Sequence, residues 1–332
     1  MNTVQAKSKS AFRISLGSPV AGPLITLIAV FILFSLFVPN FLSLRSVSGI
    51  INAATLSAII TIGMTLLMIT GEFDLSVGAS QAVGAFIFGT YATNGGNPLF
   101  ALLLALVVTG LMGAFNGYLF IRTRIPSFIV TLGTLYLYRG ALWIFSKGSM
   151  LQTTEELGLF GIFNGRLSFI ADAIQGANFR TSIFWLIGLV ILFQYLLQHT
   201  PFGNHLTAIG GNEGAAGAQG VNVKRTRLMT FIISGVLAGL SGVFLYSQYQ
   251  TARIATGAGE EMKAIASAVV GGTLITGGSG SVVGALLGAL IISTLRTGVV
   301  LTNLLPADNF EAIVGVTIIG AAIINNWIGK RS

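Results

Sequence analysis

An all-α polytopic membrane protein with about ten transmembrane helices is the fold class this sequence predicts, and three observations predict it. The first is composition: 53% of the 332 residues are hydrophobic and only 8% are charged, against roughly 25% charged residues in a soluble chain. The mean hydropathy of +0.85 agrees. The second is recurrence of apolar runs of about 20 residues along the whole length, as a hydrocarbon core of roughly 30 Å requires. The third is the placement of basic residues. With a cytoplasmic N-terminus, ten of the 18 lysines and arginines fall inside: Lys7, Lys9, Arg13, Arg122, Arg124, Lys224, Arg225, Arg227, Lys330 and Arg331. Six fall outside, namely Arg45, Lys147, Arg166, Arg180, Arg253 and Lys263, and Arg139 and Arg296 lie near span ends. That bias follows the positive-inside rule and makes both termini cytoplasmic.

Taken in order, the spans are 19–38, 50–69, 75–91, 99–120, 127–146, 181–197, 228–247, 263–276, 281–298 and 310–328. The first follows a tail, residues 1–18, and is too long for a signal-peptide h-region, so it reads as a retained span. Span 75–91 is rich in Gly, Ala and Ser, and 263–276 is short. Either suits a broken or re-entrant helix, tolerated where protein or a water-filled cavity satisfies the backbone. The chain reads as one transmembrane domain over 1–332. The pairs Gly110/Gly113, Gly235/Gly239 and Gly284/Gly288 are spaced for close helix packing. Seven of the ten acidic residues fall on the outer side: Glu155, Glu156, Asp172, Glu260, Glu261, Asp308 and Glu311.

Several chemistries are excluded or unsupported. There is no cysteine, so there is no disulfide or thiolate chemistry. His199 and His205 lack a carboxylate at metal-ligand spacing, so no metal is expected. The +8 net charge comes without a basic run interleaved with aromatics, which argues against nucleic acid. An intramembrane enzyme lacks a nucleophile–base constellation. GxxxxGK[ST] is absent, so this chain has no P-loop to cradle ATP phosphates.

Two stretches invite a function. In Thr70 to Ser80, TGEFDLSVGAS, Glu72 and Asp74 stand between two apolar runs. Asp74 before Leu75, Ser76 and Val77 reads as a helix N-cap, or as a polar contact for solute, since an intramembrane ionisable residue is a functional candidate. Glu72 has no obvious capping role. Ile69 to Ala79 also aligns without gaps to Ile275 to Ala285, with six of eleven positions identical. That echo fits either a duplication or the chance similarity of Gly- and Ala-rich segments. The second stretch, residues 201–228, is the longest cytoplasmic loop, with a short helix expected across the membrane face. It serves either as an ordinary loop with positive-inside anchors or as a docking element.

GNEGAAGAQGVNV within it resembles the cytoplasmic Glu-Ala-Ala loop of ABC-importer permeases, with Ala215, Ala216 and Gly220 at the family spacing. AIGGNE with GVNV is the version found in permeases related to the ribose-transport permease. GEFDLSVGA resembles that family's Gly-Gly-Ile-Asp-Leu-Ser-Val-Gly stretch, and residues 116–140 and 264–291 resemble its central and late segments. The departures are Gly214 where a Glu usually precedes the two alanines, Glu213 standing one place earlier, Glu72–Phe73 for Gly-Ile, and Ser127 for a Pro.

The resemblance implies the inner-membrane permease subunit of an ATP-driven importer for a monosaccharide or polyol. It implies four partners: a cytoplasmic ABC ATPase, which carries ATP and Mg; a periplasmic sugar-binding protein; a second permease copy as a homodimer; and the sugar itself. No cofactor is expected on this chain. The coupling loop, 201–227, would act through Gly210, Gly211, Glu213, Ala215, Ala216 and Gly220. The glycines would give a sharp start and exit, and the alanines a small flat face. A sugar path needs hydroxyls, amides and aromatic faces, and Asp74, Ser76, Asn116, Phe128, Thr131 and Thr134 are the candidates. Gln81, Tyr136, Tyr138 and Trp143 offer similar groups. Two other readings remain: an ABC permease for a non-sugar solute, and an ion-coupled secondary transporter, which would need acidic or histidine residues in several spans.

Overall fold

The computed structural model describes residues 20–153, 162–167, 176–302 and 310–329. The tail 1–18 and Glu155, Glu156, Asp172, Asp308, Lys330 and Arg331 lie outside the described residues, as does the Glu311 side chain. Twelve helices are assigned within them: α1 (Ala21–Phe37), α2 (Leu44–Ile69), α3 (Val77–Thr93), α4 (Pro98–Thr123), α5 (Ser127–Ser146), α6 (Ser182–His199), α7 (Pro201–Gly211), α8 (Glu213–Ala218), α9 (Val223–Tyr249), α10 (Glu260–Val270), α11 (Val282–Thr302) and α12 (Phe310–Gly329). Six of them, α2, α4, α5, α6, α9 and α11, are long and apolar enough to cross a bilayer. The chain is therefore a polytopic, essentially all-helical membrane protein. β1 (Leu151–Gln152) and β2 (Thr251–Ala252) pair antiparallel and tie the ends of α5 and α9 together.

Local sequence explains the boundaries. Asn97 accepts the amides of Leu99 and Phe100 at the start of α4, and Pro98 fills the first helical position, where a missing N–H costs nothing. Asn222 caps α9 through the Arg225 amide. The doubtful span 263–276 is an 11-residue helix, α10, that stops at Gly271. The loop expected over 201–228 is more structured than the sequence suggested. Pro201 starts α7, Asn212 breaks it and caps α8, and Gly220 turns the chain towards α9.

Burial inverts the pattern of a soluble protein. Ala54 to Thr70, most of α2, is buried without interruption, as befits a helix that is apolar all round. α9 packs on α2, α3 and α4, and α11 on α2 and α10. The peripheral helices instead expose Leu36, Phe37, Phe145 and Ile191, the apolar surface that lipid solvates. Because lipid gives little hydrophobic drive between helices, close backbone approach must hold the bundle. The glycines supply it: a Cβ on Gly84 would stand 2.8 Å from Gly239 Cα, and one on Gly63 would stand 2.9 Å from Ser234 Cα. Gly113 and Gly235 are pressed against α9 and α4, and Gly284 and Gly288 against α10 and its end.

Candidate functional site

The α2–α3 connector, residues 70–76, threads into the bundle centre, and Asp74 is 1% exposed there. Its Oδ1 accepts from the Ser76 amide at 2.9 Å, the Ser76 hydroxyl at 2.6 Å and Asn116 Nδ2 at 3.3 Å. Its Oδ2 accepts from the Ser234 hydroxyl at 3.3 Å. Asn116 Nδ2 also donates to Ser76 Oγ at 2.8 Å, and the Tyr138 hydroxyl lies 2.9 Å from Asn116 Oδ1. One carboxylate thus joins the connector, α4 and α9, with α5 linked through Tyr138. All of its donors are neutral. The expected N-cap is not what forms: Asp74 binds the amide two residues on, and α3 starts at Val77 without a side-chain cap.

The backbone on either side of Asp74 is held by the first turns of α5. Ser127 Oγ accepts the Phe73 amide at 3.1 Å and Thr131 Oγ1 accepts the Leu75 amide at 3.0 Å. Thr131 in turn donates to the Ser127 carbonyl at 2.9 Å. Thr134 is buried and its hydroxyl bonds the Thr131 carbonyl at 3.2 Å. So Asp74, Ser76 and Asn116 come together directly, and Thr131 and Thr134 stand one and two steps away. Phe128 does not join them; it is 50% exposed, on the outer face of α5 with Tyr136 and Trp143. Ser234 escaped the sequence reading because it lies 160 positions from Asp74 and an isolated serine in a helix carries no signal.

Towards the α8 end of the bundle the connector meets the arm formed by α7 and α8. The Arg227 guanidinium lies 3.0 Å from Glu72 and 3.0 Å from Glu213 and stacks over Phe120 with a 5.5 Å centroid distance. Burial pushes the Glu72 carboxyl above its usual 4.5, against the opposing pull of the Ser127 hydroxyl and Arg227. A cavity of about 700 Å³ opens here, lined by Glu72, Phe120, Arg124, Glu213, Lys224 and Arg227. Arg227 is thus the one side chain that touches both stretches the sequence singled out.

The arm departs in part from expectation. Asn212 caps α8 through the Ala215 amide at 2.9 Å, and Gly220 makes the exit turn at φ +89°. Gly214, Ala215 and Gly217 are exposed, whereas Ala216 is buried within the chain, so the two alanines do not share one free face. Gly211 is open, and Gly210 serves close approach rather than a turn: a Cβ there would overlap Ile69 O and Gly278 N. Those two atoms belong to the two echoing segments, which lie side by side, with Gly278 N donating to Ile69 O at 2.8 Å. Gly71 and Gly277, aligned in the echo, are both left-handed, at φ +83° and +88°.

Among the described residues no three His, Cys, Asp or Glu side chains gather to hold a metal ion. A second cavity, of about 510 Å³ between α3, α4 and α5, is largely apolar, with Phe86, Met112, Leu142 and Phe145 in its wall.

Comparison with known proteins accords with this arrangement. The ribose import permease protein of Escherichia coli (strain K12) is 33% identical over 309 residues, covering 91% of this chain and 92% of the relative. That of Bacillus subtilis (strain 168) is 33% identical over 306 residues, covering 92% of each. The autoinducer 2 import system permease protein of Enterobacter sp. (strain 638) is 34% identical over 301 residues, covering 90% of this chain and 84% of the relative. No solved structure matches. The family model described as "Branched-chain amino acid transport system / permease component" matches residues 46–322, and the chain therefore belongs to that family of transport permeases.

Proposed function

We propose that this protein is the membrane-spanning permease subunit of an ATP-driven importer in the bacterial inner membrane, and that it carries a ribose-type monosaccharide or polyol. One observation carries the mechanical part: Arg227 ties the exposed α8 to Glu72 of the α2–α3 connector through two ion pairs of 3.0 Å. Glu72 is two residues from Asp74, which joins the connector to α4 and α9. A push on the arm is thereby delivered to the centre of the bundle. The relatives named as ribose import permeases support the solute class.

In this reading the chain is a single domain with ten crossings and both termini in the cytoplasm. α7 and α8, residues 201–218, seat against a cytoplasmic ABC ATPase, which supplies ATP and Mg because no P-loop occurs here. Gly210, Glu213, Ala215, Ala216 and Gly220 shape that arm. A periplasmic binding protein delivers the sugar to the outer loops, and a second copy completes the path. Asp74, Ser76, Asn116, Thr131 and Thr134 act at the connector, holding the gate rather than the solute, since each printed polar contact of the Asp74 carboxylate is already to protein.

Uptake by cells expressing the chain with its ATPase and binding protein tests the solute class. Radiolabelled D-ribose should accumulate, and a hundredfold excess of L-leucine should not compete. Competition by leucine without ribose accumulation would replace the sugar reading with the amino-acid one.

A further inference from the structure

A separate pocket of about 210 Å³ lies where α2, α3, α9, α10 and α11 meet, and Gln81 stands in its wall. Ser241 fixes how Gln81 is oriented. The Ser241 hydroxyl donates its one hydrogen to the Leu56 carbonyl at 2.8 Å, so it faces Gln81 as an acceptor. Gln81 must then turn its Nε2 towards Ser241, at 2.9 Å. That leaves Oε1, which has no partner among the described residues although Gln81 is 1% exposed. A buried unpaired acceptor carries a desolvation penalty and calls for an explanation. The Asp74 cluster shows no such vacancy, since both of its carboxylate oxygens are taken.

The surroundings point to a solute. Leu56 lies midway along the 26-residue α2, so Gln81 sits near mid-depth. α10 has 11 residues, about 16 Å at 1.5 Å per residue, which is half a bilayer. Discontinuous helices of this kind form solute sites near the midplane of transporters. Its first residues contribute Glu260 and Lys263, already paired with each other at 2.7 Å, so the wall they form is charge-balanced. Ser57 and Ser293 add hydroxyls. Gly257, at φ +72°, carries the chain past this point; a Cβ there would overlap Gly78 O and stand 2.6 Å from Gln81 Oε1.

We propose that this pocket is the transport site, and that Gln81 Oε1 accepts a hydroxyl of a small neutral polyhydroxylated solute. The inference rests on the sugar-importer reading. Its volume is below the roughly 300–1,000 Å³ typical of drug-sized ligands, which suits a monosaccharide. It also moves solute recognition from Asp74 to Gln81.

The test uses the chain with its ATPase and binding protein in proteoliposomes, with D-ribose as probe. Gln81→Leu should lower ribose uptake about tenfold, the loss of one buried hydrogen bond to solute with its partner stranded. ATPase stimulation by loaded binding protein should stay within twofold of wild type. Because Gln81→Leu also strands Ser241, a second measurement is needed. Ser293→Cys, in a chain with no native cysteine, is labelled with a small thiol reagent with and without ribose turnover. Ribose should slow labelling at least threefold there and leave Ser146→Cys, in the apolar α3–α5 cavity, unchanged. Wild-type uptake by Gln81→Leu, or equal labelling of Ser293→Cys in an actively transporting complex, overturns the site. Absence of ribose uptake by the wild type overturns the sugar reading, and this site with it.

Discussion

Asp74 uses its two oxygens unequally, and that inequality separates two substitutions. Oδ1 takes three donors and Oδ2 only the Ser234 hydroxyl. Asp74→Asn keeps one oxygen for the three and turns its amide towards Ser234, whose oxygen can accept. Asp74→Leu strands all four donors, at about 1–3 kcal/mol for each one left buried and unpaired. Purified protein yield and thermal midpoint in detergent should therefore fall slightly for Asp74→Asn and severely for Asp74→Leu. Equal, complete loss of uptake in both at normal protein levels would instead give the carboxylate charge a direct part in gating. The sequence made Asp74, Ser76 and Asn116 legible as unusual polar groups in apolar runs. It did not make Ser234 or the role of Arg227 legible, because spacing along one helix says nothing of which neighbour it meets. Phe128 was misplaced for the same reason: its aromatic ring fits a sugar path chemically, but the face of α5 that carries it turns outward.

Elements read well where lipid sets the length. The apolar runs become helices close to their expected limits, since hydrocarbon demands internal backbone hydrogen bonding. The arm over 201–218 read poorly, because Gly-rich sequence has weak helix propensity and here gains its order from tertiary contact. Gly210 makes that contact. Gly210→Ala places a methyl group on Ile69 O and Gly278 N, which are backbone atoms that cannot swing away. Overpacking of this kind costs about 1–3 kcal/mol, so α7 should lift from the two connectors and coupling should fall. Ala216→Arg should do more, since Ala216 is 5% exposed and packs within the chain, leaving no room for a guanidinium stem. Glu213→Ala should do little: its carboxylate is 57% exposed and Arg227 keeps Glu72, and exposed pairs contribute about 0–1 kcal/mol. Ribose uptake per ATP hydrolysed ranks the three. A larger loss in Glu213→Ala than in Ala216→Arg would show that charge rather than packing seats the arm.

At the scale of the whole molecule, the absence of cysteine makes topology measurable one site at a time. Gly217→Cys in α8 should label only from the cytoplasmic side, and Ser149→Cys, exposed after α5, only from the periplasmic side; the reverse pattern would invert every assignment of inside and outside. The division of labour follows from what the chain lacks and what it carries. It has no P-loop, few intramembrane charges, and an exposed helix wired to its centre through Arg227. An ion-driven carrier would have no use for that arm. Uptake of D-ribose into proteoliposomes holding this chain, its ATPase and its binding protein distinguishes the two directly. The predicted result is accumulation that requires ATP and loaded binding protein and is indifferent to a proton or sodium gradient. Accumulation driven by an ion gradient, with no ATP and no ATPase subunit, would contradict it.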